Sequence, residues 1–398
     1  LIKQEIDVKK KALFLLIIIY LAFVALGLPD AILGSGWNLI REDLNLSLGT
    51  LGIMSSMVCA FSIIATYNSP RLLKLLETKV ITIISITLTG LALVSIAFVK
   101  EFYQMVILAI PLGIGAGAID VSLNNYLTKH YKAHHMNYLH SFYGLGVTLG
   151  PSVMAYTLTS NSWRSAYLIV GGIILVIALF VLSSFLLWDK EDKTIREEEH
   201  LHINLKTMLS NPKSLQSIII FLLYVHIESL MGVWIASYFF IVKSVSYSTA
   251  ALFTTAYFLS FTLGRILSGI LSHRVNPKHL VFTGEIIMVI GAILLVLNII
   301  DNLYVQFGLV VIIGLGCAPI FPNMMYLNNE VFERNQISKM ISLQMAIGYI
   351  GVGLLTPLAG LIFDKTTIKI FPIFVLSVSI LLLILTFSYL FKVKENCS

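Results

Sequence analysis

Residues 11–37 read KALFLLIIIYLAFVALGLPDAILGSGW, an apolar run whose polar interruption comes late, at Gly27, Pro29 and Asp30. The run exceeds the roughly 20 apolar residues that carry a helix across a bilayer. It is too long for the apolar region of a secretory leader and passes through Gly-Leu-Pro-Asp without a convincing cleavage site. Eleven further runs of similar size follow, near 48–68, 79–98, 103–127, 138–158, 165–187, 216–241, 248–272, 279–299, 303–327, 339–362 and 369–391. Long continuous runs favour helices over the ten-residue alternating strands of a membrane barrel. The composition agrees, with 57% apolar and 12% charged residues in a chain of 398, against about 25% charged in a soluble domain. A soluble globular protein is excluded, and the expected fold class is an all-α membrane protein with 12 transmembrane helices.

The net charge of +6 would suggest a nucleic-acid partner in a soluble chain. Here the bases lie between the apolar runs. With the N-terminus inside, 20 of the 27 Lys and Arg fall in inner segments and six outside, at Arg41, Lys100, Arg164, Lys243, Lys365 and Lys369. The excess of inner bases orients the chain with both termini cytoplasmic and makes membrane lipid, not nucleic acid, the expected surrounding partner. Cys59, Cys317 and Cys397 have no regular spacing, so neither a disulfide framework nor a zinc site follows. His130, His134 and His135 have helical spacing but read as a basic cytoplasmic cap. No metal and no cofactor is expected beyond a proton, or sodium, as coupling ion.

The longest polar interruption divides the chain into 1–187, a cytoplasmic linker 188–215, and 216–398. Within the linker, Leu201, Ile203, Leu205, Met208 and Leu209 give one apolar side of a short helix suited to the inner leaflet. An internal repeat supports the division. Leu139-His140 with Gly144 matches Leu343-Gln344 with Gly348 at an offset of 204, Gly113-Ile114-Gly115 matches Gly314-Leu315-Gly316 at 201, and Asp30 with Gly34 matches Glu228 with Gly232 at 198. Three ordered matches at nearly constant offset describe a duplicated six-helix unit.

Seven of the ten prolines fall inside the runs, at Pro29, Pro111, Pro151, Pro319, Pro322, Pro357 and Pro372. Each removes a backbone hydrogen bond that a neighbour or a wet cavity must replace, and their concentration in runs 4, 5, 10 and 11 favours helices that flex around a central path. Four carboxylates also lie inside, Asp30, Asp120, Glu228 and Glu285, with Arg265 the one base. Each acid costs about 2.5–3.5 kcal/mol at a helix centre on insertion scales, so it must face a cavity or carry a proton. Asp30, Asp120 and Glu228 are the candidate proton-coupling groups. Glu285, near the inner end of its run, is expected to snorkel. Asn124 lies one turn after Asp120 on the same face, beside Asn125, while His140 and Tyr143 share a face of the fifth run and Gln344 matches His140 in the eleventh. Trp234, six residues after Glu228, is expected to line the same cavity. Carboxylate, amide and aromatic together suit a small polar solute, and a monosaccharide best: acceptors and donors for hydroxyls, a flat face for its C–H surface.

These residues resemble the fucose/galactose/glucose proton symporters of the major facilitator superfamily. Pro29-Asp30-Ala31-Ile32-Leu33 stands where that family has Asn-Asp-Ile-Leu. Asp120 with Asn124 is similar to its Glu-x-x-x-Asn-Pro, with a shorter acid and Asn125 in place of proline. Asn137, His140 and Phe142 resemble its Asn-x-x-Gln-x-Phe, and Tyr224-Val225-His226-Ile227-Glu228 its Tyr-Val-x-x-Gln. Gly264-Arg265 with Arg274 and Pro277 resembles the superfamily's cytoplasmic gating motif, which makes Arg265 and Arg274 candidate gate residues. The resemblance implies a monomeric alternating-access carrier of two six-helix bundles rocking around a midplane site, with sugar and proton moving together. Asp120 is then the principal proton site.

Three other readings differ in what they need. An intramembrane enzyme working through Asp30 and Asp120 would bring a nucleophile elbow, His-Glu-x-x-His or a phosphate loop, and the sequence has none. A receptor would need a pocket but no paired acids in both halves. An exporter of drugs or lipids would want a wider, more apolar cavity than these amides and acids make. Sodium coupling stays open, because Asp120 with its amides offers hard oxygen ligands.

Overall fold

A computed structural model describes residues 2–131, 134–188, 210–332 and 334–391, and every regular element among them is helical. The chain divides into two compact units, Leu1–Ile195 with Tyr247–Leu252, and Arg196–Ser246 with Phe253–Ser398. The first unit contains α1 (Ile2–Gly27), α2 (Ile32–Asp43), α3 (Thr50–Leu75), α4 (Thr78–Ile96), α5 (Phe102–His130), α6 (His134–Leu158) and α7 (Trp163–Ser183). The remaining helices are α8 (Pro212–Lys243), α9 (Tyr247–Leu271), α10 (Pro277–Leu297), α11 (Leu303–Cys317), α12 (Ile320–Val331), α13 (Arg334–Ile350), α14 (Thr356–Lys365) and α15 (Phe371–Phe391). The linker's expected amphipathic helix lies outside the described residues.

Eleven helical segments of the described chain are long and apolar enough to cross a membrane. The remaining crossing, α6, has 25 residues and carries the polar His140, Ser141 and Tyr143. Each expected run overlaps a helix, or two helices in line where the crossing is interrupted. Their starts are written in the chain: Asn211 and Asn276 each cap a helix by accepting from the N–H two residues on, at 3.0 and 2.9 Å, with proline at the first helical position.

Three crossings are interrupted. The first breaks between Gly27 and Ile32, where Pro29 cannot donate and Asp30 sits in the turn. The tenth breaks at Ala318-Pro319, between α11 and α12. The eleventh passes through a π-helical turn, Gly351–Leu355, just before Thr356-Pro357. The fourth and fifth crossings, whose prolines were expected to let them flex, run as continuous helices through Pro111 and Pro151.

Lipid tails are as apolar as leucine, so helices meet in a membrane where small residues let backbones approach. In the first unit α6 lies directly on α1: a Cβ on Gly146 or Gly150 would strike the carbonyls of Val24 or Leu28, and one on Gly27 would strike that of Tyr143. In the second unit α10 meets α11 the same way, with Gly284 against the Gly316 carbonyl and the Pro319 ring.

Each unit also ties down the C-terminal end of its first crossing. Asp43, closing α2, accepts from Trp163 Nε1 at 3.1 Å and pairs with Arg164, whose other arm donates to the Val99 carbonyl at 3.1 Å. Lys243, closing α8, donates to Asn298 at 3.0 Å and Asp301 at 2.8 Å in the loop before α11. The hydrogen bond and charge of Lys243 hold the exposed Asp301 carboxyl below the ordinary aspartate range.

Candidate functional site

The close approach of α6 to α1 carries one side chain onto another. Tyr143, on α6, donates its hydroxyl to Asp30 Oδ2 at 2.5 Å, in the turn where the first crossing breaks. Around it Tyr20 stacks on Phe142 at 4.8 Å, and His140, which is exposed, meets Phe23 edge-on at 5.8 Å. On α5 the helical period does what the spacing demanded. Asn124 Nδ2 donates to Asp120 Oδ1 and to the Asp120 carbonyl, both at 2.8 Å, fixing the carboxylate one turn below the amide. Asn125 beside it is partly exposed. Asp30 and Asp120 thus take separate partners, a phenol on α6 and an amide on α5.

The second unit holds its acid differently. Arg265 on α9 reaches Glu228 on α8 at 3.6 Å and donates to the Tyr224 hydroxyl at 3.3 Å. The guanidinium lies 4.1 Å over the Phe261 ring and 5.4 Å from that of Phe321. Both charged side chains keep a little over a fifth of their surface accessible. A guanidinium between two rings and a carboxylate is satisfied by charge on one edge and by quadrupole on its faces. Arg265 was expected as a helix-end or gate contact; it lies six residues inside the end of α9 and turns inward to Glu228. Arg274, its companion in that expectation, is exposed in the turn after α9.

Two predicted solute contacts are built into the scaffold instead. Trp234 has no exposed surface and donates its indole N–H to the Thr356 carbonyl at 3.1 Å, with its ring against Gly360. Six residues at about 100° each put it some 120° around α8 from Glu228, so the two do not share a face. Gln344 is also fully buried: it accepts from Asn328 at 2.8 Å and donates to Ser217 at 2.7 Å. His226 supports the same interruption as Trp234. Thr356 gives its one hydroxyl proton to the Gly351 carbonyl at 3.1 Å, so His226 Nδ1, 3.1 Å from that hydroxyl, must be the donor.

Glu285 does not snorkel. It has no exposed surface, and Thr386 donates to its Oε1 at 2.7 Å. The expected histidine cap is divided, His130 against Tyr126 and His135 against Tyr20, and no cluster of three metal-ligating side chains occurs among the described residues. The residues missed by sequence reasoning are the partners: Phe261 and Phe321 around Arg265, Asn328 beside Gln344, Thr356 at the interruption of the eleventh crossing, and Thr386 against Glu285. One signal was available for the first group, since a single base among the crossings must find an acid and an aromatic lining.

Twelve crossings in two compact units, broken helices and intramembrane acids define a polytopic membrane carrier. The sequence model described as Major Facilitator Superfamily matches residues 18–253 and 217–396, and the chain belongs to that family of transporters. It is 22% identical over 330 residues to the glucose/mannose transporter GlcP of Bacillus subtilis (strain 168), covering 80% of this chain and 78% of that one. Among solved structures it resembles a nucleoside transporter, NupG, with a TM-score of 0.77 at 13% identity over 96% of this chain and 100% of the other. A D-xylose-proton symporter gives a TM-score of 0.75 at 14% identity, covering 95% and 98%. At these identities the structures speak for the fold alone.

Proposed function

We propose that the protein is a proton-coupled symporter of a small polar solute, a monosaccharide by class. It works as a monomer by alternating access in the cell membrane, with both termini cytoplasmic. The observation that carries this reading is a carboxylate held beside a hydrogen-bonding or cationic partner in each unit: Asp30 by Tyr143, Asp120 by Asn124, and Glu228 by Arg265.

Each of these contacts responds to a proton. A protonated Asp30 or Asp120 gains a donor and sheds the charge its neighbours stabilise, and a protonated Glu228 releases Arg265 from its ion pair. Asn124, Asn125, His140 and Tyr143 then supply amide, imidazole and phenol groups to the hydroxyls of a solute. The sugar class draws support from the glucose/mannose relative and the D-xylose-proton symporter, and from side chains that are polar without being strongly charged. Trp234 and Gln344 shape the second unit through Thr356 and Asn328, away from the solute.

The test is uptake by purified protein in proteoliposomes, with an inward pH gradient at equal sodium and a sodium gradient at equal pH, across a panel of radiolabelled monosaccharides. Uptake under the pH gradient alone is expected, falling as the outer pH rises. Uptake under sodium alone would reassign the ion. Failure of both gradients to move any hexose or pentose would remove the sugar-symport reading and leave export of a larger, amphipathic solute to be assayed.

A further inference from the structure

Glu285 takes no part in the arrangement just described, and its surroundings are unusual for an acid. It lies eight residues into α10, roughly 12 Å from the helix start, beyond the reach of a glutamate side chain to the interface. Its exposure is 0%. Thr386 on α15 donates to Oε1 at 2.7 Å, while Oε2 has no hydrogen-bond partner and no base pairs with the carboxyl among the described residues. An ionised carboxylate so enclosed has one hydroxyl to replace its whole hydration shell. A proton removes the charge and leaves a neutral acid whose C=O accepts from Thr386.

The groups facing it from the packed helices are few. The Cys317 thiol at the end of α11 feels the charges of both Glu228 and Glu285, and on α15 the buried Tyr389 follows Thr386 by three residues. α15 contributes Thr386, and the segment leading into α12 contributes Pro319, whose ring touches the neighbouring Gly284. Lys278 on α10 and Glu330 on α12 neutralise each other at 3.0 Å near the start of α10. The Tyr257 hydroxyl, buried beside Cys317, is a further polar atom on the path toward Glu228 and Arg265.

The residues flanking Glu285 on α10 pack against the interruption of the tenth crossing. Gly284 presses on the Gly316 carbonyl and the Pro319 ring, and Met288, one turn on, meets Gly316 from the other side. The acid is therefore clasped between two contacts to the short segment Gly316–Pro319, where that crossing loses helical hydrogen bonding. Bending there separates these contacts first.

We propose that Glu285 is a further proton-binding site of this carrier, sealed while Gly316–Pro319 packs on α10 and opened to proton exchange when the tenth crossing bends at Pro319. This rests on the transport reading only for the bending motion; the bound proton is measurable without transport.

Infrared difference spectroscopy on the protein in lipid vesicles tests it. The wild type should give a protonated-carboxyl C=O band that Glu285→Gln removes and Thr386→Val shifts without removing. On transfer to D2O that band should move slowly, and several-fold more slowly in Pro319→Ala, in which the crossing can close its hydrogen bonds. If Glu285→Gln removes no such band, the site holds no proton and the proposal fails. Exchange as fast in Pro319→Ala as in the wild type, or no exchange at all, would overturn the gating. Should Pro319→Ala not fold, Gly284→Ala, which pushes Pro319 away, must speed exchange for the gating to stand. A band that behaves as expected in a protein that no pH gradient drives would spare this proposal and sink the symport reading.

Discussion

The two units hold the acids of their membrane crossings in different ways. In the first, Asp30 and Asp120 are each held by a neutral group, a phenol at 2.5 Å and an amide at 2.8 Å. In the second, Glu228 is held by a full positive charge at 3.6 Å, itself enclosed by Phe261 and Phe321. A dipole partner tolerates a proton arriving on the acid, because an amide or hydroxyl can still bond to the neutral carboxyl. A cation does not tolerate it equally, since protonation strands the cation in a half-buried place. The two halves thus differ in the partner each gives its acid, and under the proposed coupling a proton would leave the partners of the first unit in place and release an arginine in the second.

The strongest way to break that contrast is Arg265→Met. It leaves Glu228 without its countercharge, and because the pair is partly exposed the loss should be about 2 kcal/mol, below the ~3–5 kcal/mol of a fully buried pair. Uptake should fall at least tenfold. Thermal unfolding in detergent beside proteoliposome uptake measures both, and Glu228→Gln with Arg265→Met should recover most of the stability and none of the transport. Equal stability of the single variant and the wild type would mean the ion pair holds nothing together.

The first unit should respond oppositely. Asp120→Asn keeps a hydrogen bond to Asn124 and should fold with a melting temperature close to wild type, yet lose concentrative uptake while solute exchange across the membrane persists. Unchanged accumulation in this variant would take Asp120 out of the coupling.

A smaller effect separates site from scaffold. Gln344→Leu strands Asn328 and Ser217 and should destabilise by about 1–3 kcal/mol, with the solute KM unmoved if Gln344 is structural. A change in KM at unaltered stability would return Gln344 to the solute.

The smallest effect concerns the clasps at the ends of the first crossings. Asp301 is held below its ordinary value by Lys243, so its contribution is complete above the unfolded aspartate value of about 3.9 and is lost as pH falls through the lowered folded value. The difference in melting temperature between wild type and Asp301→Asn should be constant at neutral pH and shrink below about pH 4. A difference that grew on acidification would reverse the assigned direction.

Much of this was legible in advance, and the pattern of success is physical. Helix positions follow from hydropathy because a bilayer forces every crossing to be a long apolar helix. The Asp120–Asn124 contact follows from spacing because both residues sit on one helix, where four positions make one turn. Contacts across helices did not follow. Glu228 and Trp234 stand close in sequence yet face apart, and Trp234 and Gln344 look like solute ligands until Thr356, Gly360, Asn328 and Ser217 close over them. Glu285 shows the same limit, since snorkelling depends on which neighbour lies over the side chain.

The sequence alone therefore determined the class of molecule, the number of crossings and the presence of acids that a membrane does not hold idle. Each is a one-dimensional consequence of the cost of polar groups in hydrocarbon. Only the tertiary structure decided which acid meets a phenol, which an amide, which an arginine and which nothing but a threonine. Those choices are made where glycines such as Gly146, Gly150 and Gly284 let particular backbones touch, and pairwise approach of helices far apart in the chain is not written in the period of any one of them.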